Sequence, residues 1–276
     1  MNQSPFPCMT QESKSDLAIL LKSLQDNQNF AFVRFSDGEM EILNNQELII
    51  GPNYVKTSVG QVTFAYPLYD YKEFIPERDF LFRGKLIEAA RFMSEGFIKG
   101  IRTKSNDGSQ DQQKMIQFND GQLCNLTYSD LLINSNFRTF RERFMPIFYN
   151  WTNLYIIANF RTTLTSEFKH CQFIPIQDNF IPDFESQLRK IMSILVAAPS
   201  NSLVLSSASS LSNIVGLELW KMRKDLTFID IGTALHDKLG LGFGIREYHQ
   251  VLEPIRAKTL PRRMRYLVSK GYKMKW

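Results

Sequence analysis

Two hydrophobic patterns alternate along the chain, one typical of helices and the other of buried strands. Leucines between residues 17 and 24 fall at positions i, i+3, i+4 and i+7, the spacing that lines one face of an amphipathic helix. Residues 30–35 form instead an apolar run that Arg34 alone interrupts, followed by the turn-forming segment 36–39. This pattern predicts a helix, then a buried strand that ends in a loop, with another helix beginning near Met40.

The same alternation continues to residue 231. Further helices are predicted over residues 84–93, 137–149, 183–198 and about 211–224. Further strands are predicted over residues 96–101, 153–158, 172–176, 202–205 and 226–231, whereas the polar residues 103–113 predict a surface loop. Strands that alternate with long helices require right-handed crossovers. The sequence therefore predicts an α/β fold with a Rossmann-like parallel sheet flanked by helices.

One change in composition divides the chain. The 276 residues carry a formal net charge of +5, but eight of the 33 basic residues, and no acidic residue, follow Glu253. Residues 1–255 therefore carry a net charge of −3, which argues against a broad nucleic-acid-binding face. We expect a single domain over residues 12–253 and a basic C-terminal extension over residues 254–276.

The extension interleaves apolar and aromatic residues with its cations, a composition that suits contact with an anionic membrane surface. The alternative is a solvated terminal helix packed on the domain. The N-terminal residues lack the apolar core of a secretory signal, and no stretch of 18 apolar residues follows. We expect a cytoplasmic protein, at most peripheral on the inner face of the membrane.

Three cysteines, Cys8, Cys124 and Cys171, are widely spaced and share no short motif. They predict neither a disulfide framework nor a zinc site, and they favour a reducing compartment.

Polar side chains follow the predicted strands. In an open parallel sheet, ligands bind beyond the carboxyl ends of the strands, so we expect a site among these residues. They are Asp37 and Glu39, Asn159 and Arg161, Gln177 and Asp178, the serine-rich loop 206–210, and Asp230 with Gly232.

The segment Asp37–Gly38–Glu39 is the most specific of these features. In an extended backbone both carboxylates would point the same way, and the glycine would let them converge on one hard divalent cation such as Mn²⁺ or Mg²⁺. The alternative is a helix start, in which both acids stabilise the first turn. Arg34 favours a site, because a charge inside a buried strand needs a carboxylate or phosphate partner.

Several familiar motifs are absent. The sequence holds no GxxxxGK[ST] loop, and the glycines in 240–244 lack the third glycine of GxGxxG, so neither a P-loop ATPase nor dinucleotide binding is expected. No GxSxG elbow is present, and no histidine obviously partners the serine-rich loop, whose Ser209 belongs either to a tight turn or to a phosphate cradle. His236 lies close enough after Asp230 to approach the same cleft, and Arg246 could reach a diphosphate.

The segment FVRFSDGE at residues 32–39 resembles the R-F-x-D-G-E signature of the GT-D-type glycosyltransferases, a bacterial family first catalogued as a domain of unknown function. Three downstream segments resemble the family in a consistent order, namely Asn134–Asn136, Ile156–Asn159 and Phe228–Gly232. The resemblance implies a Rossmann-like fold and transfer of a sugar from a nucleotide-sugar donor, expected to be a UDP-sugar, to a glycan, glycolipid or glycoprotein acceptor. It also implies that Asp37 and Glu39 bind Mn²⁺ or Mg²⁺.

Under this hypothesis the cation bridges the donor diphosphate and stabilises the leaving nucleotide. Arg34 orients the acidic pair or contacts phosphate, and Asp230 or Asp178 is placed to act as the base if the anomeric centre inverts. The other expected substrate-binding residues are Asn136, Asn159, Ser209 and Arg246.

Two other hypotheses stay open. The first is a metal-dependent phosphatase or nucleotide hydrolase that uses the same carboxylates. The second is a non-catalytic carbohydrate-binding module in which Asp37 and Glu39 only begin a helix.

Overall fold

The computed structural model describes residues 5–51, 54–57, 60–63, 68–103, 108–241 and 248. Within these residues the helices are α1 Ser13–Gln25, α2 Asp37–Leu43, α3 Phe80–Arg91, α4 Gly108–Phe118, α5 Phe137–Arg143, α6 Met145–Tyr149, α7 Phe184–Leu195 and α8 Leu211–Met222. The strands are β1 Ala31–Arg34, β2 Leu48–Ile50, β3 Tyr54–Thr57, β4 Gly60–Thr63, β5 Lys72–Phe74, β6 Phe97–Ile101, β7 Leu126–Tyr128, β8 Leu154–Asn159, β9 Gln172–Ile176, β10 Leu203–Ser207 and β11 Thr227–Asp230.

The larger sheet has seven parallel strands in the order β7-β6-β1-β11-β10-β8-β9. The predicted α/β fold with a parallel sheet is thereby confirmed. On one side of β1 lie β6 and then β7. On the other side lie β11, β10, β8 and β9. The two halves of the sheet meet between β1 and β11, where Ala31 lies opposite Phe228. Such a switch in strand order opens a crevice at the carboxyl ends of the strands.

Apolar side chains cover both faces of this sheet, which is why its strands read as near-continuous hydrophobic runs. Along β1, Ala31 and Val33 belong to one hydrophobic cluster, whereas Phe32 belongs to the other. Gly216 lets α8 lie directly on β1, since a Cβ there would stand 2.5 Å from Cγ1 of Val33. This close contact holds the loop that precedes α8 beside the end of β1.

A second sheet, which the hydrophobic pattern did not predict, lies between α2 and α3 in the chain. It is antiparallel, with the order β4-β3-β2-β5, and Ile50 of β2 lies opposite Lys72 of β5. The expectation of a loop over residues 103–113 is wrong from Gly108 onward, where α4 begins. The first seven residues of α4, GSQDQQK, contain no large apolar side chain, so the hydrophobic pattern did not indicate a helix there.

Cys8 and Cys124 form a disulfide across 116 positions of sequence, so the expectation that no disulfide forms is wrong. The cysteines therefore no longer favour a reducing compartment. The backbone N–H of Met9 donates to the carbonyl of Cys124 at 2.7 Å. The buried carboxylate of Asp16 accepts from the hydroxyl of Thr127 at 2.6 Å. These contacts fasten the N-terminal segment to the β7 edge of the sheet.

Among the described residues, no helix has both the length and the apolar character needed to cross a bilayer. Residues 254–276 and Arg246 lie outside the described residues. The basic extension, the boundary near residue 253 and the cytoplasmic location therefore stay predictions.

Candidate active site

A cleft of about 660 Å³ opens at the carboxyl ends of β1, β10 and β11, the edge at which the sequence predicted a site. The smaller sheet forms part of its wall through Ile50 and Lys72. The cleft brings together six of the predicted site residues: Arg34, Asp37, Glu39, Asn159, Ser209 and Asp230.

Asp37 and Glu39 both lie in the first turn of α2, so the extended geometry suggested for them is wrong and the alternative of a helix start is confirmed. The Ser36 N–H donates to Oε2 of Glu39 at 3.0 Å, which closes the turn in the manner of a capping box. Gly38 has an ordinary helical backbone, and a Cβ there would meet its neighbours at 3.5 Å or more. The glycine is therefore not required for the turn, yet both acids still line the cleft.

Glu39 is a buried acid in a crowded electrostatic environment. Burial is the main cause that raises the pKa of this carboxyl, while the positive charge of Lys72 acts in the opposite direction. The negative charges of Asp230 and Asp37 raise the pKa further. Glu39 thus lies close enough to Asp37 and Asp230 for their negative charges to disfavour its ionisation, and a cation beside Glu39 would offset that cost.

Arg34, at the end of β1, has the carboxylate partner that its place in a buried strand predicts. Its Nε lies 3.5 Å from Oδ2 of Asp230, and its Nη1 donates to the carbonyl of Ser129 at 3.1 Å. The other oxygen of Asp230 accepts the N–H of Gly232 at 2.9 Å. Burial raises the pKa of Asp230, and Arg34 and the Gly232 N–H partly oppose that rise.

The carboxylates fit a divalent cation of the magnesium type. In the part of the chain that the structure describes, no three histidine, cysteine or acidic side chains are placed to enclose a metal ion. Mg²⁺ is commonly held by one or two carboxylates, with water and substrate phosphates as its other ligands. Asp37 and Glu39 can supply those two, since Ser36 occupies only Oε2 of Glu39.

The serine-rich loop after β10 has a histidine partner, contrary to the expectation from the sequence. Nε2 of His236 lies 3.2 Å from Oγ of Ser207, and that hydroxyl donates to the carbonyl of Gly232 at 2.7 Å. The ring of Tyr69 meets the His236 ring edge to face, with centroids 5.2 Å apart. The 29 positions between Ser207 and His236 explain why no local motif revealed the pair.

Asn159 lies at the end of β8 and lines the cleft, but its side chain is engaged by neighbours. Its amide nitrogen donates to Asp178 at 2.7 Å, and its amide oxygen accepts the N–H of Arg161 at 3.0 Å. Arg161 also pairs with Asp178 at 2.7 Å. Asp178 is absent from the described lining of the cleft, which leaves Asp230 as the better placed of the two candidate bases.

The structure places Asn136 elsewhere. This side chain is buried, and its amide donates to Oγ of Ser13 at 2.8 Å and to the carbonyl of Leu131 at 3.0 Å. It fastens α1 to the turn before α5 and is not part of the described lining of the cleft, to which Asn134 contributes instead.

Lys72 is a site residue that the sequence pattern did not reveal. It belongs to the unpredicted second sheet and reaches the cleft, where its ammonium donates to the hydroxyl of Ser209. Because the site was predicted from the ends of the parallel strands, a lysine within a short antiparallel strand gave no signal.

Comparison with known proteins gives a likeness of fold. No family model matches the chain, and no curated protein sequence matches it. A solved structure described as a new glycosyltransferase (DUF1792) from Streptococcus sanguinis is similar to it, with a TM-score of 0.50, 13% identity, and coverage of 79% of this chain and 80% of that chain.

Two further solved structures are also similar. One is described as the highly conserved domain of unknown function 1792 with a distinct glycosyltransferase fold, with a TM-score of 0.48, 13% identity, and coverage of 79% of this chain and 77% of that chain. The other is a selenomethionine-substituted structure of DUF1792, with a TM-score of 0.47 and the same identity and coverage. At 13% identity the likeness to the Streptococcus sanguinis structure concerns the fold alone.

Proposed function

We propose that this protein is a metal-dependent glycosyltransferase that moves a sugar from a nucleotide-sugar donor to a glycan, glycolipid or glycoprotein acceptor. The observation that carries the proposal is the group of three carboxyls, Asp37, Glu39 and Asp230, that line one cleft at the switch point of a parallel sheet. The likeness to a fold described for a glycosyltransferase supports it.

Asp37 and Glu39 would hold Mn²⁺ or Mg²⁺. Such an ion, when bound, neutralises the charge that develops on a leaving diphosphate. The first turn of α2 presents both carboxylates to the cleft, and the positive end of the helix favours the negative charges gathered there. We take a UDP-sugar as the first donor to test.

Arg34 and Asp230 line the proposed site as an ion pair. Arg34 holds Asp230 in place and keeps the ionised carboxylate from being an unpaired buried charge. Asp230, whose pKa is raised by burial, is our candidate to accept the proton of the acceptor hydroxyl. Ser209 and Asn159 line the same cleft and are our candidates for donor or acceptor contacts.

The proposal is tested with labelled nucleotide sugars in the presence of Mn²⁺, with and without mixed glycan acceptors. We expect sugar transfer by the wild-type protein. In Asp37→Asn and Glu39→Gln we expect a fall in rate of at least about 10- to 100-fold, the scale typical for loss of a residue that only supports a metal ligand. Both changes remove ligand charge but keep the side-chain size. Glu185→Gln, on the exposed first turn of α7, is the matched control and should retain full activity.

Other results would favour the alternatives. Hydrolysis at a rate that is indifferent to acceptor would indicate a nucleotide hydrolase. Absence of any Mn²⁺-dependent nucleotide binding in calorimetry would indicate a carbohydrate-binding module.

We further propose that residues 254–276 bring a cytoplasmic enzyme to an anionic membrane surface. The support is the cluster of eight basic residues without an acidic one. Deletion of residues 261–276 should weaken binding to vesicles that contain phosphatidylserine and leave the weak binding to neutral phosphatidylcholine vesicles unchanged. Equal binding of the full and shortened chains to the anionic vesicles would contradict this.

A further inference from the structure

The second sheet delivers one lysine ammonium into the cleft. Lys72 begins β5, and its Nζ donates to Oγ of Ser209 in the loop before α8. The same nitrogen lies 3.8 Å from the position that a Cβ on Gly38 would occupy, in the first turn of α2. Lys72 therefore stands between the loop after β10 and the helix that carries the acidic pair.

Lys72 differs from the arginines of the cleft in its charge partners. Arg34 pairs with Asp230, and Arg102 pairs with Asp111 at 2.5 Å. Among the described residues, no carboxylate oxygen comes within 4.0 Å of the Lys72 ammonium, although the charge of Lys72 acts to lower the pKa of Glu39. The hydroxyl of Ser209 accepts one of its three protons, so further donor capacity remains for an anion.

The surroundings of this ammonium are themselves positive. The positively charged side chains of Arg34 and Arg102 line the same cleft as Lys72. An additional ammonium is disfavoured there unless negative charge offsets it. Asp37 and Glu39 supply a part of that negative charge. A divalent cation held by these two carboxylates would compensate their charge and leave less of it to offset Lys72.

We propose that Lys72 is the fixed cation that binds the diphosphate of the donor, in addition to the divalent cation that Asp37 and Glu39 would hold. The inference rests on the proposed function and specifies the part of the ligand that Lys72 contacts. During transfer, the bond between the anomeric carbon and the diphosphate oxygen breaks, and its electron pair stays on that oxygen. The acceptor oxygen bonds to the anomeric carbon and gives its proton to the base. Lys72 stabilises the negative charge that builds up on the departing nucleoside diphosphate.

Lys72 differs in this role from a structural lysine, because its effect depends on the phosphates of the ligand. Binding is measured by calorimetry with Mn²⁺ present, using UDP and uridine, with GDP and guanosine as a second pair. We expect Lys72→Met to weaken binding of the nucleoside diphosphate by roughly 10- to 100-fold, the scale of a charge-assisted contact, and to leave nucleoside binding unchanged. Lys72→Arg should restore part of the affinity, since it keeps the charge.

Lys190→Met, on the exposed surface of α7, is the matched control and should bind both ligands as the wild type does. Circular dichroism and the midpoint of thermal unfolding verify that Lys72→Met is folded. Equal diphosphate affinity in wild type and Lys72→Met, or a parallel loss of nucleoside affinity, would overturn the inference. If the wild type binds no nucleoside diphosphate at all, the proposed function fails first, and that result is distinct from the failure of Lys72 alone.

Discussion

The guanidinium group of Arg34 lies against the backbone of Gly232, with no space between them for a side chain. A Cβ at residue 232 would stand 2.6 Å from Cζ of Arg34. Gly232 also has a φ of +48°, in the left-handed region that side chains disfavour. The glycine thus packs against the arginine, while its N–H binds the carboxylate that the arginine faces. The end of β11 and the end of β1 are locked together by this contact.

Gly232→Ala should therefore destabilise the protein by about 2–4 kcal/mol and displace Arg34. Gly121→Ala separates the effect of the backbone conformation from that of the Arg34 contact. Gly121 has a φ of +75°, but among the described residues no atom beyond its chain neighbours lies within 4 Å of the position that its Cβ would take. This control should cost only about 1 kcal/mol, from the backbone conformation alone. Urea unfolding of both variants gives the comparison, and equal losses would show that the Arg34 contact contributes nothing.

Arg34→Met should expose the cost of a buried and unpaired Asp230. We expect a loss of about 3 kcal/mol at neutral pH, since removing one member of a buried pair leaves the other charge uncompensated. Burial already raises the pKa of Asp230 in the folded state, so its ionised form lowers stability as the pH rises through that pKa. Without Arg34 the penalty grows, and the difference between variant and wild type should shrink as the pH falls and Asp230 takes up a proton.

Two variants check this interpretation by urea unfolding across pH. Arg138→Met removes an exposed arginine that pairs with Glu142 four residues away, and it should change stability by less than about 0.5 kcal/mol. The double variant Arg34→Met with Asp230→Asn should recover part of the stability, because no charge is then left buried. A pH-independent loss in Arg34→Met would contradict the role of Asp230.

The sequence predicted the parts of the fold in which local pattern and burial agree. Strands such as β8, in which every residue is buried, produce apolar runs that are visible without any structure. The second sheet escaped because its strands are short and, unlike the equally short β1 and β11, mostly half-buried, so they leave no continuous apolar run. The edge strand β7 is equally short.

For the site, residues at the carboxyl ends of buried strands were found, and those brought in by distant pairing were missed. Asp37 and Glu39 come shortly after β1, and Asp230 ends β11, so the rule for parallel sheets places them together. Lys72 enters only because β5 pairs with β2, and His236 meets Ser207 only through the turn after β11. Asn136 was predicted to bind substrate but instead holds α1 in place, since an asparagine ahead of a helix can serve packing as well as ligand binding.

The disulfide between Cys8 and Cys124 should contribute measurably to stability. Closing a loop of this length restricts the unfolded chain, and typical contributions are about 2–4 kcal/mol. We expect the double variant Cys8→Ser with Cys124→Ser to lose about that much in urea unfolding without reductant. Cys171→Ser is the control, since Cys171 is free and half-buried. Thiol labelling of the denatured, unreduced wild type should modify one cysteine per chain, and modification of all three would contradict the bond.

Lys99 should make stability depend on alkaline pH. This residue of β6 is fully buried, and its ammonium donates to the carbonyls of Ala90 and Phe92 at the end of α3. Burial lowers the pKa of Lys99 to about 7. The unfolded chain therefore binds this proton more tightly than the folded chain, and stability rises with pH between about 7 and 10.5.

Lys99→Met removes this titration while it keeps the length of the buried side chain, at the expense of the two hydrogen bonds. The stability of wild type relative to Lys99→Met should increase by a few kcal/mol from about pH 7 to about pH 10, measured by urea unfolding at each pH. The sign follows from the lowered pKa, because the folded state favours the neutral amine and gains as protons become scarce. Lys22→Met, on the exposed face of α1, should show no such trend relative to wild type. A difference between wild type and Lys99→Met that stays constant over this range would mean that Lys99 remains charged within the core, held by the carbonyls of α3 alone.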